Sequence, residues 1–251
     1  MVQLSVNVNK VATLRNSRGG SEPSVGRAVA VCLAAGAKGI TVHHRADERH
    51  IRRGDVVEIG EMLAGHPDVE FNIEGDPRPD LLDLVVAVRP AQCTLVPVMP
   101  GEITSQAGWP PDTDPARLGA VVSRLHAAGI RVSLFIDPTE AAVRWAGAIA
   151  ADRVELYTEP FARAFERGEG TASFRTYADA ARLAASLGLG VNAGHDLDLD
   201  NLTLFRTLPH LDAVSIGHAL ISHALWVGLD RSVRDYLDVL AGTTPSASPA
   251  V

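Results

Sequence analysis

The 251-residue sequence holds only two cysteines, Cys32 and Cys93. That is too few for a disulfide framework, and each sits in an apolar stretch that reads as a reduced core thiol. Basic charge is short as well: 23 Lys and Arg against 30 Asp and Glu leave a net charge of −7, so the basic surplus of a nucleic-acid binder is absent. Lysine occurs at Lys10 and Lys38 alone, which limits Schiff-base chemistry to two candidates. The longest uncharged stretch, Ala213 to Leu229, contains His218 and His223 and falls short of the roughly 20 apolar residues of a membrane span. The opening residues MVQLSVNVNK alternate instead of forming the apolar block of a secretory signal. The expectation is a cytoplasmic protein with no membrane or nucleic-acid partner. No HxH, HExxH or paired-Cys pattern occurs, and no metal is expected.

Hydrophobic residues make up 46% and charged residues 21%, ordinary globular usage that excludes disorder and fibrous repeats. Short β-type runs begin near Leu4, Gly39, Glu70, Gln92, Arg131, Arg153, Gly190 and Ala213. Amphipathic stretches follow them, clearest over Val25–Ala35, Ala116–Ala128, Ala172–Leu187 and Ala219–Leu240. Gly36, Gly129 and Gly188 fit left-handed helix caps leading into the next strand. Repeated strand–helix units imply parallel strands and right-handed crossovers, and eight of them in about 240 residues match a (β/α)₈ TIM barrel. A doubly wound open sheet competes, but no GxGxxG follows the first strand. Residues 1–242 read as one catalytic domain and 243–251 as a disordered tail. Met99–Pro115, rich in Pro and Gly, reads as a long loop after strand four, where lids often sit.

Polar side chains gather at the ends of these strands, two apart and so on one face: Asn7 and Asn9, His43 and Arg45, Asn72 and Glu74, Thr94, Glu155 and Tyr157, Asn192, Ser215 and Gly217. A TIM barrel keeps its chemistry at the carboxyl ends of its strands and fills its interior with Val, Ile, Leu or small residues. The amino ends show no comparable ring of His, Asn and Glu. Strands seven and eight each end in glycine then histidine, Gly194-His195 and Gly217-His218, at the place where barrels commonly bind phosphate. Arg45 and the histidines around it suggest a second anion site. Adjacent His43 and His44 point to opposite faces of a strand and cannot chelate one metal together.

These residues also carry a resemblance. The segments VNVNKVATLRNSRGG, GITVHHRADERHI, FNIE, TLVP with EITS, VSLFIDP, VELYT, VNAGH and SIGHALI occur in this order, from about Leu4 to about Leu240. They resemble the pyridoxine 5′-phosphate synthase family of deoxyxylulose-dependent vitamin B6 biosynthesis. The resemblance implies a TIM barrel with extra helices, an octamer built from dimers, and no cofactor. It also implies condensation of 3-amino-2-oxopropyl phosphate with 1-deoxy-D-xylulose 5-phosphate into pyridoxine 5′-phosphate, phosphate and water. On this likeness His43 and Glu74 accept protons, His195 donates one, and Glu155 stabilises transition states. Asn7 and Arg18 match contacts to the aminoketone phosphate, and Gly217 and His218 the cradle at strand eight. Arg45, His50 and Thr104 match contacts to the deoxyxylulose phosphate. Four places depart from the family's commoner form. Asn9-Lys10 replace Asp-His, Val98-Met99-Pro100 replace an acidic-basic stretch, Tyr157 replaces a histidine, and Asp196 replaces a glycine, where a backbone contact could survive. Two other readings stay open from the residues: a different phosphosugar barrel enzyme, such as an aldolase using Lys10 or an isomerase, and a non-catalytic phosphometabolite-binding barrel.

Overall fold

The structure is a computed structural model that describes residues 2–97 and 107–244. Eight parallel strands close into a barrel in chain order: β1 (Gln3–Asn7), β2 (Gly39–His43), β3 (Glu70–Gly75), β4 (Gln92–Leu95), β5 (Arg131–Ile136), β6 (Arg153–Tyr157), β7 (Gly190–Gly194) and β8 (Leu211–Ile216). Each starts within two residues of the position expected from the sequence. The helices are α1 (Asn9–Asn16), α2 (Val25–Ala35), α3 (Arg53–Leu63), α4 (Pro79–Val88), α5 (Pro115–Ala127), α6 (Glu140–Ala148), α7 (Glu159–Glu166), α8 (Gly170–Ser186), α9 (Leu202–Phe205), α10 (His218–Val227) and α11 (Leu229–Ala241). The loop expected over Met99–Pro115 lies outside the described residues as far as residue 106, and the tail does so from residue 245.

Local signals account for the helix boundaries. The Ser24 side chain accepts from the Arg27 N–H to open α2, and Thr139 accepts from Ala142 to open α6. Gly36, Gly129 and Gly188 take positive φ as expected. The single helix expected over Ala219–Leu240 is two, because Gly228 at φ 85° turns the chain between α10 and α11. Strand one stops at Asn7, and Asn9 opens α1.

The hydrophobic core lies between strands and helices. Ile40, Val42, Ile73, Cys93, Val132, Leu134, Val154, Val191 and Val214 are fully buried there, on the strand faces packed against the helix ring. The barrel interior departs from the expected Val, Ile, Leu or small-residue filling chiefly in its amides. Asn72 and Gln92 occupy it beside the small hydroxyl residues Ser5, Thr41, Thr94 and Ser133. Hydrogen bonds make this possible: Ser5 to Thr41 at 2.7 Å, Asn72 Nδ2 to Thr41 at 3.4 Å and Thr94 to Asn72 Oδ1 at 2.9 Å. The amino end of the barrel is likewise more polar than expected. Glu70 accepts from Arg131 and Arg153, and Asp212 lies 4.0 Å from Arg153.

Candidate active site

The carboxyl ends of the strands open onto a cavity of about 830 Å³. Its geometry starts at β1. Asn7 Oδ1 accepts from the Asn9 N–H at 3.1 Å, and Asn9 Oδ1 accepts from the His43 N–H at 2.9 Å. Two short amides thus tie the start of α1 to the end of β2. His43 stands opposite Glu74 in the β2–β3 register, and its Nε2 is buried without a hydrogen-bond partner among the described residues. His44 faces the other way, with Arg78 at its Nδ1 (2.6 Å) and Glu48 at 3.4 Å, as strand alternation requires.

The segment after β2 is anchored from below. Arg15 grips Asp55 with two hydrogen bonds, 2.5 and 2.9 Å, both side chains buried. Arg15 and Asn16 also donate to the His50 carbonyl, and Asp55 accepts from the Arg52 N–H. His50 Nδ1 accepts from the Ile51 N–H at 2.9 Å, which leaves Nε2 to carry the proton of the neutral ring. Its ring lies 5.8 Å from that of His43. Arg45, buried, lines the cavity with His50, Lys10 and Arg49.

The opposite wall is built around β7. His195 and Asp196 both take positive φ, 83° and 59°, a conformation costly for residues with a Cβ and typical of functional sites. Thr158 bonds the carbonyls of Gly194 and His195, and Asn201 Nδ2 donates to the Asp196 carbonyl at 3.0 Å, holding this turn. The His195 ring packs against Phe135 at 4.9 Å and Tyr157 at 5.6 Å. Glu155 projects from β6 beneath it, 2% exposed. A Cβ on Gly194 would stand 2.5 Å from Glu155 Oε1, so a larger residue there displaces that carboxyl from its present place. At β8, a Cβ on Gly217 would come within 3.1 Å of Asn7. The first N–H groups of α10, at Gly217 and His218, therefore open beside Asn7 without intrahelical partners. β8 and β2 both flank β1, so the glycine–histidine end and the Arg45–His50 group lie on either side of one strand, not across the full mouth.

Electrostatics divide these groups by task. Burial drives the His43 imidazole well below its ordinary value, with His50, Arg45, His195 and Arg78 adding to the effect. Burial lowers His195 too, partly opposed by Asp196. His50 falls to about 4 through burial and then the charges of Arg45 and Lys10. Glu74 moves the other way, well above the carboxylate range, through burial and repulsion from Glu155. Burial pushes Glu155 up to about 7, against a hydrogen bond from Thr94. Near neutral pH the imidazoles are uncharged, and a proton resides on the carboxyl floor. The thiols of Cys32 and Cys93, pushed up to about 12 by burial, are inert core groups as expected.

Ten of the twelve residues singled out from the sequence face this one cavity: His43, Glu74, Glu155, His195, Asn7, Arg45, His50, Asp196, Gly217 and His218. Arg18 does not; it is exposed beyond the last turn of α1, because that helix ends at Asn16. Thr104 lies outside the described residues. Thr13, Glu159 and Arg163 line the cavity unanticipated. The i,i+4 spacing of Glu159 and Arg163, an ion pair on α7, was their only trace in the sequence. Among the described residues no cluster of three or more His, Cys, Asp or Glu could hold a metal ion.

Solved structures share the fold at low identity. Phosphoribosyl anthranilate isomerase from Thermotoga maritima superimposes with a TM-score of 0.60 at 13% identity, covering 96% of this chain and 100% of that one. A 4-hydroxy-2-oxoglutarate aldolase/2-deydro-3-deoxyphosphogluconate aldolase from TTHB1 gives 0.60 at 16%, covering 95% and 94%. Sequence relatives are much nearer. A pyridoxine 5′-phosphate synthase of Porphyromonas gingivalis is 50% identical over 242 residues, 96% of this chain and 100% of the relative. One from Xanthomonas oryzae pv. oryzae is 49% identical over 254 residues, 98% and 99%. The family model described as pyridoxal phosphate biosynthesis protein PdxJ matches residues 4–242, and the chain belongs to that family.

Proposed function

We infer that this chain condenses 3-amino-2-oxopropyl phosphate with 1-deoxy-D-xylulose 5-phosphate, releasing pyridoxine 5′-phosphate, inorganic phosphate and water. The observation that carries the reading is convergence. Two imidazoles, two buried carboxyls and two anion-binding groups, all carried by a chain of the PdxJ family, face one cavity. Joining an aminoketone to a ketose requires imine formation, loss of water and phosphate, carbon–carbon closure and aromatisation, and every step moves protons.

In this assignment His43, neutral and with Nε2 unpaired, accepts protons at the substrate carbons, and Glu74 joins it when the proton shared by the two carboxyls sits on Glu155. His195 returns a proton once the negative charge of bound phosphate favours its imidazolium. Glu74 and Glu155 repel each other enough that the floor holds one proton and one negative charge between them. That charge stabilises a cationic imine without quenching the acid. Arg45, His50 and Lys10 receive the deoxyxylulose phosphate, with Thr104 completing the set by family likeness. Asn7, the Asp196 backbone, Gly217 and His218 receive the aminoketone phosphate.

No helix among the described residues is long and apolar enough to cross a membrane. The reading extends to a cytoplasmic homo-oligomer, an octamer by family likeness. Leu225 and Trp226 on α10, 69% and 83% exposed, are apolar area that association between copies would bury. Incubating purified protein with both substrates should yield pyridoxine 5′-phosphate on chromatography, and omitting either should abolish it. A borohydride-trapped ketose adduct on Lys10, with no pyridoxine 5′-phosphate formed, would replace this reading by a Schiff-base aldolase.

A further inference from the structure

We propose that Arg78 is a positioning residue for Arg45, acting through the carbonyl and ring of His44 to hold the segment that receives the deoxyxylulose phosphate. The inference rests on the reading of Arg45 as a phosphate-binding group. It starts from strand alternation, which sends His43 and Arg45 to the cavity and His44 to the outer face. The His44 N–H still belongs to the sheet and donates to the Glu74 carbonyl at 3.1 Å. Beyond that bond the β2–β3 register ends, and Arg78 takes over. Its Nη2 donates to the His44 carbonyl at 3.0 Å and to His44 Nδ1 at 2.6 Å.

Arg78 is itself aimed by two acids. Nη1 donates to Asp76 at 2.5 Å just past β3, and Nε donates to Asp80 at 3.0 Å in the first turn of α4. With those two nitrogens engaged on carboxylates, the planar fork leaves Nη2 for His44. A guanidinium only donates, so His44 Nδ1 is an acceptor and the neutral ring carries its proton on Nε2. Burial lowers the His44 imidazole and favours that neutral form. The Nε2 proton faces Glu48 Oε1 at 3.4 Å, an oxygen that also accepts from the Arg53 N–H at 2.8 Å where α3 begins. Glu48 takes positive φ, 47°, and its own N–H donates to the Arg45 carbonyl at 3.0 Å. Both peptide groups that flank Arg45 are therefore pinned through their oxygens, one by Arg78 and one by Glu48. Peptide groups are rigid planes, so fixing the two on either side of a Cα fixes the direction in which its side chain sets out.

The test is calorimetric titration of Arg78→Met, which keeps an aliphatic stem and removes every donor, with deoxyxylulose phosphate and with aminoketone phosphate separately. His44→Leu, which leaves Arg78 with both aspartates, serves if Arg78→Met does not accumulate. His44→Asn returns an acceptor near the place of Nδ1. The dissociation constant for deoxyxylulose phosphate should rise about tenfold in Arg78→Met, the scale of one well-aimed hydrogen bond to a charged group, with that for aminoketone phosphate unmoved. His44→Leu should weaken the same ligand, and His44→Asn should recover most of the loss. In an Arg45→Ala background, Arg78→Met should add less than about twofold, because a residue acting through Arg45 has nothing left to position. An unmoved deoxyxylulose phosphate constant in folded Arg78→Met, or equal losses for both ligands, overturns the proposal. So does His44→Asn no better than His44→Leu, or the full tenfold repeated in the absence of Arg45. If Arg45→Ala itself binds deoxyxylulose phosphate like wild type, the phosphate assignment falls and the proposal falls with it. If Arg45→Ala weakens binding and Arg78→Met does not, the positioning role alone falls.

Discussion

Gly194→Ala tests the geometry of the cavity floor with a single carbon atom. The new Cβ would lie 2.5 Å from Glu155 Oε1 and 3.2 Å from the Ser215 carbonyl. An ordinary C···O contact is about 3.3 Å, so the carboxyl must retreat by roughly 0.8 Å or the strands must part. Gly194 has no positive φ, and alanine meets no backbone penalty; the effect is purely steric. Glu155 is 2% exposed, so the displacement must be taken up within the cavity that its carboxyl lines. Overpacking of this kind costs about 1–3 kcal/mol of stability, and a misplacement near 1 Å at a reacting group costs about 10²-fold in rate. Gly190→Ala is the control on the same strand. Its Cβ would meet Arg153 Cγ and Asp212 Oδ2, each at 2.8 Å, at the end of the barrel remote from the cavity. Urea unfolding and steady-state turnover of both variants decide the matter. Comparable stability losses with kcat depressed only in Gly194→Ala are expected. A Gly194→Ala enzyme turning over within about threefold of wild type, while folded, would refute the placement of Glu155.

His43→Ala and Glu74→Gln should each fold and lose roughly 10²–10⁴ in turnover, the range for one general acid or base; near-normal kcat in either reassigns that residue to packing. His50 is held at about 4 against 6.5 in an unfolded chain. Its stabilising share is complete above pH 6.5 and drains away as pH falls toward 4, on the order of 3 kcal/mol in full. His43 and His195, also lowered, act in the same direction. Urea midpoints at pH 7 and 5 should therefore converge in His50→Gln relative to wild type, and an unchanged pH slope contradicts the assignment. Calorimetric titration of Arg45→Ala should show deoxyxylulose phosphate affinity collapsing by about 2–4 kcal/mol with aminoketone affinity little changed. His218→Ala should show the reverse, and parallel losses in both variants would mean a single shared phosphate pocket.

The strands were legible because their outward faces alternate with polar residues over the whole β-ladder: Ile40 and Val42 against Thr41 and His43, Phe71 and Ile73 against Asn72 and Glu74. The site was legible for the same reason, since inward-facing residues two apart stay together once the sheet closes. What escaped depends on contacts the linear order hides. Arg15 and Asp55 are forty residues apart, yet their pairing sets the position of His50. The short helix α1 gave no clear apolar stripe, so Asn9 looked like a strand end when it is a helix start that holds the His43 N–H. The positive φ of His195 and Asp196 follows from the grip of Thr158 and Asn201 on their carbonyls, which no local propensity announces.

The polar barrel interior, the largest departure from expectation, follows from what the carboxyl floor requires. An interior of valine and isoleucine would desolvate Glu155 with nothing to oppose it, and the carboxyl would stay protonated across the physiological range. Fully solvating it would return it to the ordinary carboxylate range, permanently charged at pH 7. The hydroxyl and amide belt of Thr94, Asn72 and Gln92 stands between these extremes. It supplies a fixed dipole that partly offsets burial, and Glu155 comes to rest at about 7. A carboxyl raised toward neutrality in this way can gain or lose a proton at small cost. The belt is tolerated in folding because nearly every fully buried atom has a partner: among its fully buried, described side-chain atoms, Ser133 Oγ and Asn192 Oδ1 alone lack one. Asn192 faces Glu155 in the β6–β7 register and Ser133 faces Thr94 in the β4–β5 register. Within the belt, these two buried atoms thus belong to the register neighbours of Thr94 and Glu155.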